Sequence, residues 1–414
     1  MVEEIEEAPI VPIFWIPLEE WADDEQGDAV LALWRDEPLR RVADALRQIE
    51  IQPLLVGGVV RDLLLSRINN NVDLIVNCRA RKLMKMGVRL ANLTGATPVP
   101  LDKERGTLRL CFSPDDEVDL VSLQGEDLEE DLTRRDLRIN AMAVDVSGNL
   151  ADPFQGREDV KNGVLREIRS ENFREDPLRV IRAVRFAAQL DFILDADTIT
   201  SARAASAGLE KVAGERIAVE LDKYFRAARP PHIDLLRQLE ALAPIFHLPD
   251  YGWTLLKEMS QEQGPGLDTG LAVLFGPCLP HSQREPLFER LKLSRKTRRF
   301  LEHWWDAADR ARQMEEASLE QIFELSKVAG VAFRKLGEAV VCSAFESRLS
   351  TEDRKRIQKE ANGAGELRWE PVPWSGGDLT TRLEKEPGPW LGEMLRELEK
   401  KWALKQIDRL DDFP

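Results

Sequence analysis

The strongest constraint on the fold is a change of apolar pattern near Leu165. Before that residue, short apolar runs alternate with turns, which is typical of β-strands. Strands are predicted at 54–56, 74–76, 107–112, 118–121 and 141–146. One helix is predicted before them at 36–50, and another after Gly58. This half of the chain is therefore predicted to be a mixed α/β domain.

After Leu165 the apolar residues take the spacing of amphipathic helices. Helices are predicted at 177–190, 213–228, 233–243, 283–291, 296–314, 319–341 and 389–405. We therefore expect an α+β protein with a small mixed sheet in an N-terminal head, followed by an all-α remainder. The predicted parts are an acidic leader (1–36), the head (37–165), a helical neck (166–230), a helical body (231–361), and a linker with a helical tail (362–414).

The net charge of −16 argues at first against a nucleic-acid partner. Ten of the carboxylates lie in the leader, however, and the rest of the chain is nearly balanced. Basic residues also form local clusters, and a screened field acts over only about 8–10 Å. The clusters are Arg79, Arg81, Lys82 and Lys85; Lys103, Arg105 and Arg109; Arg295, Lys296, Arg298 and Arg299. Each cluster fits either a phosphate-binding face or a solvated helix face.

The remaining composition is that of a cytoplasmic globular protein. Hydrophobic residues make up 43% of the chain, and no apolar run approaches the roughly 20 residues that span a bilayer. The four cysteines are far apart, which argues against a zinc site or a disulfide framework. We therefore expect a protein without a membrane segment.

A tight strand-to-helix turn is predicted at Gly57-Gly58. Glycines let backbone N–H groups approach a phosphate, and the start of a helix adds a positive dipole end. Arg61 adds a charge that pairs with a triphosphate. Tight turns of this kind are common, so the turn alone is a weak indication of function.

A segment of the general form carboxylate-x-carboxylate follows this turn, with an amide in the first place, at Asn71-Val72-Asp73. Positions 71 and 73 share one face of the predicted strand because side chains alternate. Two carboxylates there, with Asp119 from another strand, would form a cluster that holds two Mg²⁺ ions about 4 Å apart for phosphoryl transfer. The pattern therefore predicts metal-dependent phosphoryl transfer.

A predicted helix after residue 175 carries Asp176 and Arg179 three residues apart, and hence on one face. A carboxylate acceptor beside a guanidinium donor can pair with the Watson–Crick edge of cytosine or adenine. Arg179, Arg182 and Arg185 repeat at a spacing of three, which suits triphosphate binding. An isolated Asp–Arg pair is more often a surface ion pair, so the order of the motifs is needed to support the functional interpretation.

Five motifs stand in an order that resembles one protein family. They lie at 57–73, 131–143, 152–159, 175–186 and 376–392. In this order they resemble the class II tRNA CCA-adding enzyme and bacterial poly(A) polymerase family, within the DNA polymerase β-like nucleotidyltransferase superfamily. The resemblance implies a polymerase β-like head and an enzyme that adds C or A residues to tRNA 3′ ends from CTP or ATP.

The resemblance also implies roles for individual residues. The implied catalytic and Mg²⁺-binding residues are Asp73, Asp119 and Asn71. The implied nucleotide-binding residues are Gly57, Gly58, Arg61, Arg134, Arg135, Asp136, Asn140, Asp176, Arg179, Arg182 and Arg185. Among these, Asp176 and Arg179 stand where the family selects the incoming base.

The sequence departs from the family pattern at Asn71, where an aspartate is expected. An amide offers one neutral oxygen, and Mg²⁺ prefers an anionic carboxylate. Two hypotheses follow: a working nucleotidyltransferase, or a weakened or inactive relative that acts as an NTP- and RNA-binding module. A metal-dependent phosphohydrolase has little support, because the four histidines form no adjacent His-Asp pair.

A substitution at Asn71 separates the two hypotheses. If the head is an enzyme weakened at one ligand, Asn71→Asp restores an anionic oxygen and should raise Mg²⁺-dependent nucleotide addition by orders of magnitude. The measurement is incorporation of labelled CTP or ATP into RNA. Equal activity of the two proteins would show that Asn71 does not limit the reaction.

Overall fold

The computed structural model describes residues 14–67, 72–113, 116–246, 253, 266–275, 279, 281–313, 318–329, 350–361 and 363–413. The chain divides into two compact units, Met1–Leu209 and Glu210–Pro414. The first unit contains a mixed sheet with surrounding helices, and the described part of the second is helical. The predicted α+β fold class is therefore confirmed.

An eight-stranded sheet forms the centre of the first unit. Its order is β1-β8-β7-β2-β3-β6-β5-β4. Strands β3 and β6 pair in parallel, and the other neighbouring pairs are antiparallel. The strands are β1 (Trp15–Ile16), β2 (Pro53–Val56), β3 (Val72–Val76), β4 (Thr97–Asp102), β5 (Thr107–Cys111), β6 (Glu117–Ser122), β7 (Ala143–Val144) and β8 (Leu150–Ala151).

Helices cover this sheet and extend beyond it. They are α1 (Leu18–Trp21), α2 (Asp24–Arg35), α3 (Leu39–Arg47), α4 (Gly58–Leu64), α5 (Ala80–Thr94), α6 (Leu128–Thr133), α7 (Gly156–Asn162), α8 (Glu171–Glu175), α9 (Leu178–Leu190) and α10 (Ala196–Ala205). A parallel pair of two-residue strands, β9 (Val164–Leu165) and β10 (Ile193–Leu194), lies among the last of them.

Side chains along β6 alternate between a buried face and a partly exposed face of the sheet. Val118, Leu120 and Ser122 are buried, whereas Glu117 and Asp119 are partly exposed on the other face. The four predicted strands between residues 54 and 121 are confirmed. The prediction at 141–146 was too long, since only Ala143–Val144 are paired there.

The predicted acidic leader contributes an edge to the sheet. Its strand β1 pairs with β8, and Asp23 caps α2 by accepting a hydrogen bond from the Gln26 amide at 2.8 Å. Two buried indoles anchor the segment to one loop, because Trp21 donates to the Gly148 carbonyl at 2.9 Å and Trp34 to that of Asp145 at 3.0 Å. Residues 15–35 therefore pack as part of the first unit.

Two neighbouring elements were not predicted. The helix α5 ends at Gly95, whose left-handed conformation closes it. The strand β4 contains Pro98 and Pro100, which obscure a strand pattern but are compatible with the edge position that β4 occupies.

The second unit is helical where the structure describes it. Its helices are α11 (Gly214–Ala227), α12 (Pro230–Gln238), Leu267–Phe275, His281–Leu291, Arg295–Gln313, Leu319–Ala329, Thr351–Ala361, Gly376–Arg382 and Trp390–Ala403. The helix predicted at 233–243 begins earlier, because Pro230 occupies the first turn. It also ends earlier, at Gln238. The part of the prediction 319–341 beyond Ala329 lies outside the described residues.

Aromatic side chains form much of the core of this unit. Tyr224, Phe225, Phe288, Trp304 and Trp305 are fully buried. The Trp304 indole donates to the Ala272 carbonyl at 3.0 Å, and the Tyr224 hydroxyl to that of His232 at 3.0 Å, so these polar groups are satisfied. A separate apolar cluster holds the C-terminal helices around Leu379, Leu398, Ile407 and Phe413. No described helix is long and apolar enough to cross a membrane.

Candidate active site

The Gly57-Gly58 turn joins β2 to α4 beside two predicted site residues. Gly57 has φ +70°, a left-handed conformation that favours glycine. A Cβ at this position would lie 2.8 Å from Arg135 Nη1 and 3.6 Å from the Asn140 carbonyl oxygen. The turn thus brings the backbone against the Arg135 guanidinium, which was predicted to bind the nucleotide.

Three charged residues lie in one row across β3, β6 and β5. Asp73 is paired in register with Asp119, and Asp119 with Arg109. The Arg109 guanidinium donates from Nε to Asp119 Oδ1 and from Nη2 to Asp119 Oδ2, both at 2.8 Å. Its Nη1 also pairs with Glu117 at 2.7 Å. The predicted carboxylates Asp73 and Asp119 are therefore brought together, with an arginine bound to the second.

The pKa values of the two end residues of this row, Asp73 and Arg109, are both raised, but for different reasons. Partial desolvation by the surrounding protein, followed by the Asp119 charge, raises the pKa of Asp73, even though the residue is open to solvent. The hydrogen bonds to Asp119 raise the pKa of Arg109. Arg109 is therefore a fixed positive charge at this site. The third predicted member, Asn71, lies outside the described residues.

A buried carboxylate links the segment after α6 to helix α9. Asp136 Oδ1 accepts hydrogen bonds from the Leu137 backbone N–H and the Asn140 amide, both at 2.9 Å, and Oδ2 lies 2.7 Å from Arg182 Nη2. Burial alone would raise the pKa of Asp136. The Arg182 charge and these hydrogen bonds outweigh burial and lower the pKa well below its usual range.

The same network reaches the start of α4. Asn140 Oδ1 accepts a hydrogen bond from Arg61 Nη1 at 2.7 Å, so Asn140 lies between Arg61 and Asp136. The guanidinium carbons of Arg61, Arg182 and Arg185 lie 5.1, 5.6 and 4.0 Å from the centre of the Phe186 ring. Three predicted phosphate-binding arginines therefore surround one aromatic ring.

The two arginines before Asp136 have acidic partners on α6. Arg135 pairs with Asp131 at 3.2 Å, whereas the exposed Arg134 pairs with Glu130. Arg135 also lies against the Gly57 turn. Arg135 is thus placed with the other predicted nucleotide-binding residues, while Arg134 lies on the surface.

The predicted base-selecting residues, Asp176 and Arg179, are three positions apart in the chain, but they do not lie in the same helix. Asp176 has an extended backbone and ends α8, and Arg179 lies in the first turn of α9. The expectation of a common helix face was wrong because Pro177 starts a new helix. Arg179 donates to the Asn172 carbonyl at 2.9 Å and to that of Arg134, and burial chiefly lowers its pKa.

Two family profiles of known proteins match this chain. A family profile described as the poly A polymerase head domain matches residues 54–166. A second profile, described as a probable RNA and SrmB-binding site of polymerase A, matches residues 191–251. The first match contains the Gly57 turn, the carboxylate row and Asp136.

Curated relatives extend the similarity over most of the chain. A CCA-adding enzyme of Streptococcus gordonii is 30% identical over 386 residues, covering 86% of this chain and 90% of the relative. The chain belongs to the CCA-adding enzyme family. A CC-adding tRNA nucleotidyltransferase of Geobacter sulfurreducens is 40% identical over 179 residues, covering 43% of this chain and 40% of the relative. A Thermotoga maritima CCA-adding enzyme solved with tRNA has the same fold, with a TM-score of 0.68 at 23% identity over 96% of each chain.

CCA-adding nucleotidyltransferases generally use a divalent metal, so the carboxylates can be tested against that requirement. Asp73 and Asp119 supply the oxygen donors that hard cations prefer. Both oxygens of Asp119, however, accept hydrogen bonds from Arg109. No cluster of three or more potential metal-binding His, Cys, Asp or Glu side chains occurs among the described residues. With Arg109 in this position, the described side chains by themselves do not fit a divalent ion.

Two residues at this CCA-adding enzyme site were not recognised from the sequence. Arg109 was assigned only to a basic surface cluster, but it is bound to Asp119; the register of β5 and β6 would have revealed this pairing. The buried Asn172 donates to the carbonyls of Thr133 and Arg135 at 2.7 and 2.8 Å, and so joins α8 to the arginine segment. No spacing in the sequence indicates that contact.

The Asp136–Arg182 pair leads to a pH-dependent prediction. Because the pKa of Asp136 is lower in the folded than in the unfolded chain, the pair stabilises the fold above about pH 4 and less as pH falls. Asp136→Asn should cost about 3–5 kcal/mol in unfolding free energy at pH 7, and the difference from wild type should shrink at pH 3.

Denaturant unfolding of the full chain at the two pH values measures this effect. Asp116→Asn is a matched control, since Asp116 is exposed and accepts a hydrogen bond from the Ser113 hydroxyl. An Asp136→Asn protein as stable as wild type at pH 7 would contradict the assigned role of the pair.

Proposed function

We propose that this protein adds C or A residues, or both, to the 3′ ends of tRNA from CTP and ATP. The reaction joins the RNA 3′ oxygen to the nucleotide α-phosphorus and releases pyrophosphate. The observation that carries the proposal is the gathering of Gly57, Arg61, Arg135, Arg182 and Arg185, in a chain similar to CCA-adding enzymes along most of its length. The charge of Arg135 also acts on Asp73 of the carboxylate row.

The arginines account for the binding of a triphosphate. Arg135 lies against the glycine turn, where a nucleotide phosphate can approach the backbone closely. Arg61 and Arg182 are held by Asn140 and Asp136, so their planar groups are ordered before the nucleotide arrives. Such preorganised positive charges bind the phosphates and stabilise the leaving pyrophosphate.

The base is proposed to be selected by Asp176 and Arg179. Arg179 is anchored through backbone carbonyls, which fixes the direction of its guanidinium. Asp176 precedes it by three residues and is partly exposed. A carboxylate acceptor and an oriented donor at the entrance of α9 support pairing with the edge of cytosine or adenine, as expected from the sequence.

The RNA is proposed to bind through phosphate contacts and shape, mainly along the helical second unit. Arg295, Lys296 and Arg299 are exposed there, whereas Arg298 pairs with Glu285 and Glu289 at 3.0 and 2.7 Å. Arg79, Arg81 and Lys85 add an exposed basic group on the first unit. The relatives are a CCA-adding enzyme and a CC-adding tRNA nucleotidyltransferase, and no comparison favours the alternative of an inactive NTP- and RNA-binding module.

An assay with tRNA that lacks its 3′ CCA sequence tests the activity. Purified protein should incorporate labelled CTP or ATP in the presence of Mg²⁺, the divalent ion that we propose for this family member. Asp73→Ala should lower incorporation at least about a hundredfold, the equivalent of about 3 kcal/mol, because it removes the open carboxylate of the row.

Glu104→Ala is the control for that variant, since Glu104 is an exposed acid in the turn between β4 and β5. It should retain wild-type activity. Absence of incorporation by the wild-type protein would refute the proposed function, and full activity of Asp73→Ala would refute the role of the carboxylate row.

A second experiment tests base selection. The double change Asp176→Glu with Arg179→Lys keeps both charges but alters the donor and acceptor positions. It should change the ratio of CTP to ATP affinity by about tenfold, because hydrogen bonds to charged groups contribute about 1.5–3 kcal/mol. Calorimetric titration measures both affinities, with Arg174→Ala on the exposed face of α8 as the control. An unchanged pair of affinities would remove these two residues from base selection.

A further inference from the structure

The contact between Arg109 and Asp119 occupies the position where a metal would be expected in this family. Arg109 binds both oxygens of Asp119 at 2.8 Å and also pairs with Glu117 at 2.7 Å. A planar guanidinium that meets a carboxylate at two points forms one of the stronger ion pairs in proteins. Asp119 is therefore already paired with a positive charge, that of the Arg109 guanidinium.

The backbone places this arginine on Asp119. Arg109 on β5 is directly opposite Asp119 on β6, and Asp119 is directly opposite Asp73 on β3. Residues opposite one another in neighbouring strands project to the same side of the sheet. The neighbours Leu108, Leu110, Val118 and Leu120 are buried on the other side and fix this register. The pairing thus depends on the sheet as well as on the rotamer of a long side chain.

A divalent ion at this position would compete with the guanidinium. The ion needs an anionic oxygen of Asp119, and both of these oxygens are already hydrogen-bonded. A second cation held next to the arginine would also be repelled by its charge. Metal binding to Asp119 is therefore weaker while Arg109 remains bound to it.

We propose that Arg109 is an internal cation that occupies Asp119 in place of a divalent metal ion and lowers the affinity of this site for such an ion. The proposal rests on the proposed function for the relevance of the ion, and concerns the regulation of metal binding at that site. Removing the guanidinium exposes Asp119 beside Asp73, which creates a pair of oxygen ligands on adjacent strands.

Mn²⁺ titration of the full chain, followed by electron paramagnetic resonance of the free ion, tests the proposal without nucleotide or RNA. Arg109→Ala should bind Mn²⁺ at least tenfold more tightly than wild type. Arg105→Ala makes the same change of charge in the adjoining turn, and should change the affinity less than twofold. Arg109→Lys keeps the charge but loses the two-point contact, so its affinity should lie between those of wild type and Arg109→Ala.

A double variant tests whether Asp119 is the side chain that binds the additional Mn²⁺. Adding Asp119→Asn to Arg109→Ala should return Mn²⁺ affinity to the wild-type level. The proposal is overturned if Arg109→Ala binds Mn²⁺ no more tightly than Arg105→Ala, or if the gain persists in the double variant. Circular dichroism checks folding, and Arg109→Met replaces Arg109→Ala if the smaller side chain disturbs the sheet. Because the readout is ion binding, either outcome is distinguishable from a failure of nucleotide addition.

Discussion

The buried Asp136 carboxylate depends on partners that come from separate segments of the first unit. A charge removed from water must be neutralised and hydrogen-bonded, and the groups that do so are Arg182 on α9, the Asn140 amide and the Leu137 backbone N–H. The sheet-bearing part of the chain and the helix that follows it are joined at this point. Through Asn140, the position of Arg61 depends on the same carboxylate.

This dependence explains how several flexible arginines form one binding surface. An exposed arginine loses considerable side-chain entropy when it binds a phosphate. Here Asp136 and Asn140 order Arg182 and Arg61, and the backbone carbonyls of Asn172 and Arg134 order Arg179. Much of that entropy is lost during folding, so less is lost when a nucleotide binds. The price is a buried polar network in which each member needs its partners.

The sequence allowed prediction of the features that depend on local periodicity and motif order. The strands around Leu74 and Val118, the glycine turn and the long helices of the second unit were predicted because their patterns are local. The structure of the leader was not, because β1 is only two residues long and its strand pairing is with β8, more than a hundred residues away. Strand β4 was obscured by its prolines, and the Arg109–Asp119 pair depended on a strand register that spacing along one strand does not reveal. The shared helix face of Asp176 and Arg179 was wrong because Pro177 starts a new helix.

The two edges of the sheet also bear on how the protein behaves at high concentration. An exposed edge strand presents unpaired backbone groups that another chain can extend into a continuous sheet. On β4, Pro98 and Pro100 lie two residues apart and carry no N–H, so that edge strand lacks two backbone donors. The opposite edge is the two-residue β1, which is too short to template a long ladder. The chain can therefore maintain an eight-stranded sheet with little tendency to join sheets between molecules.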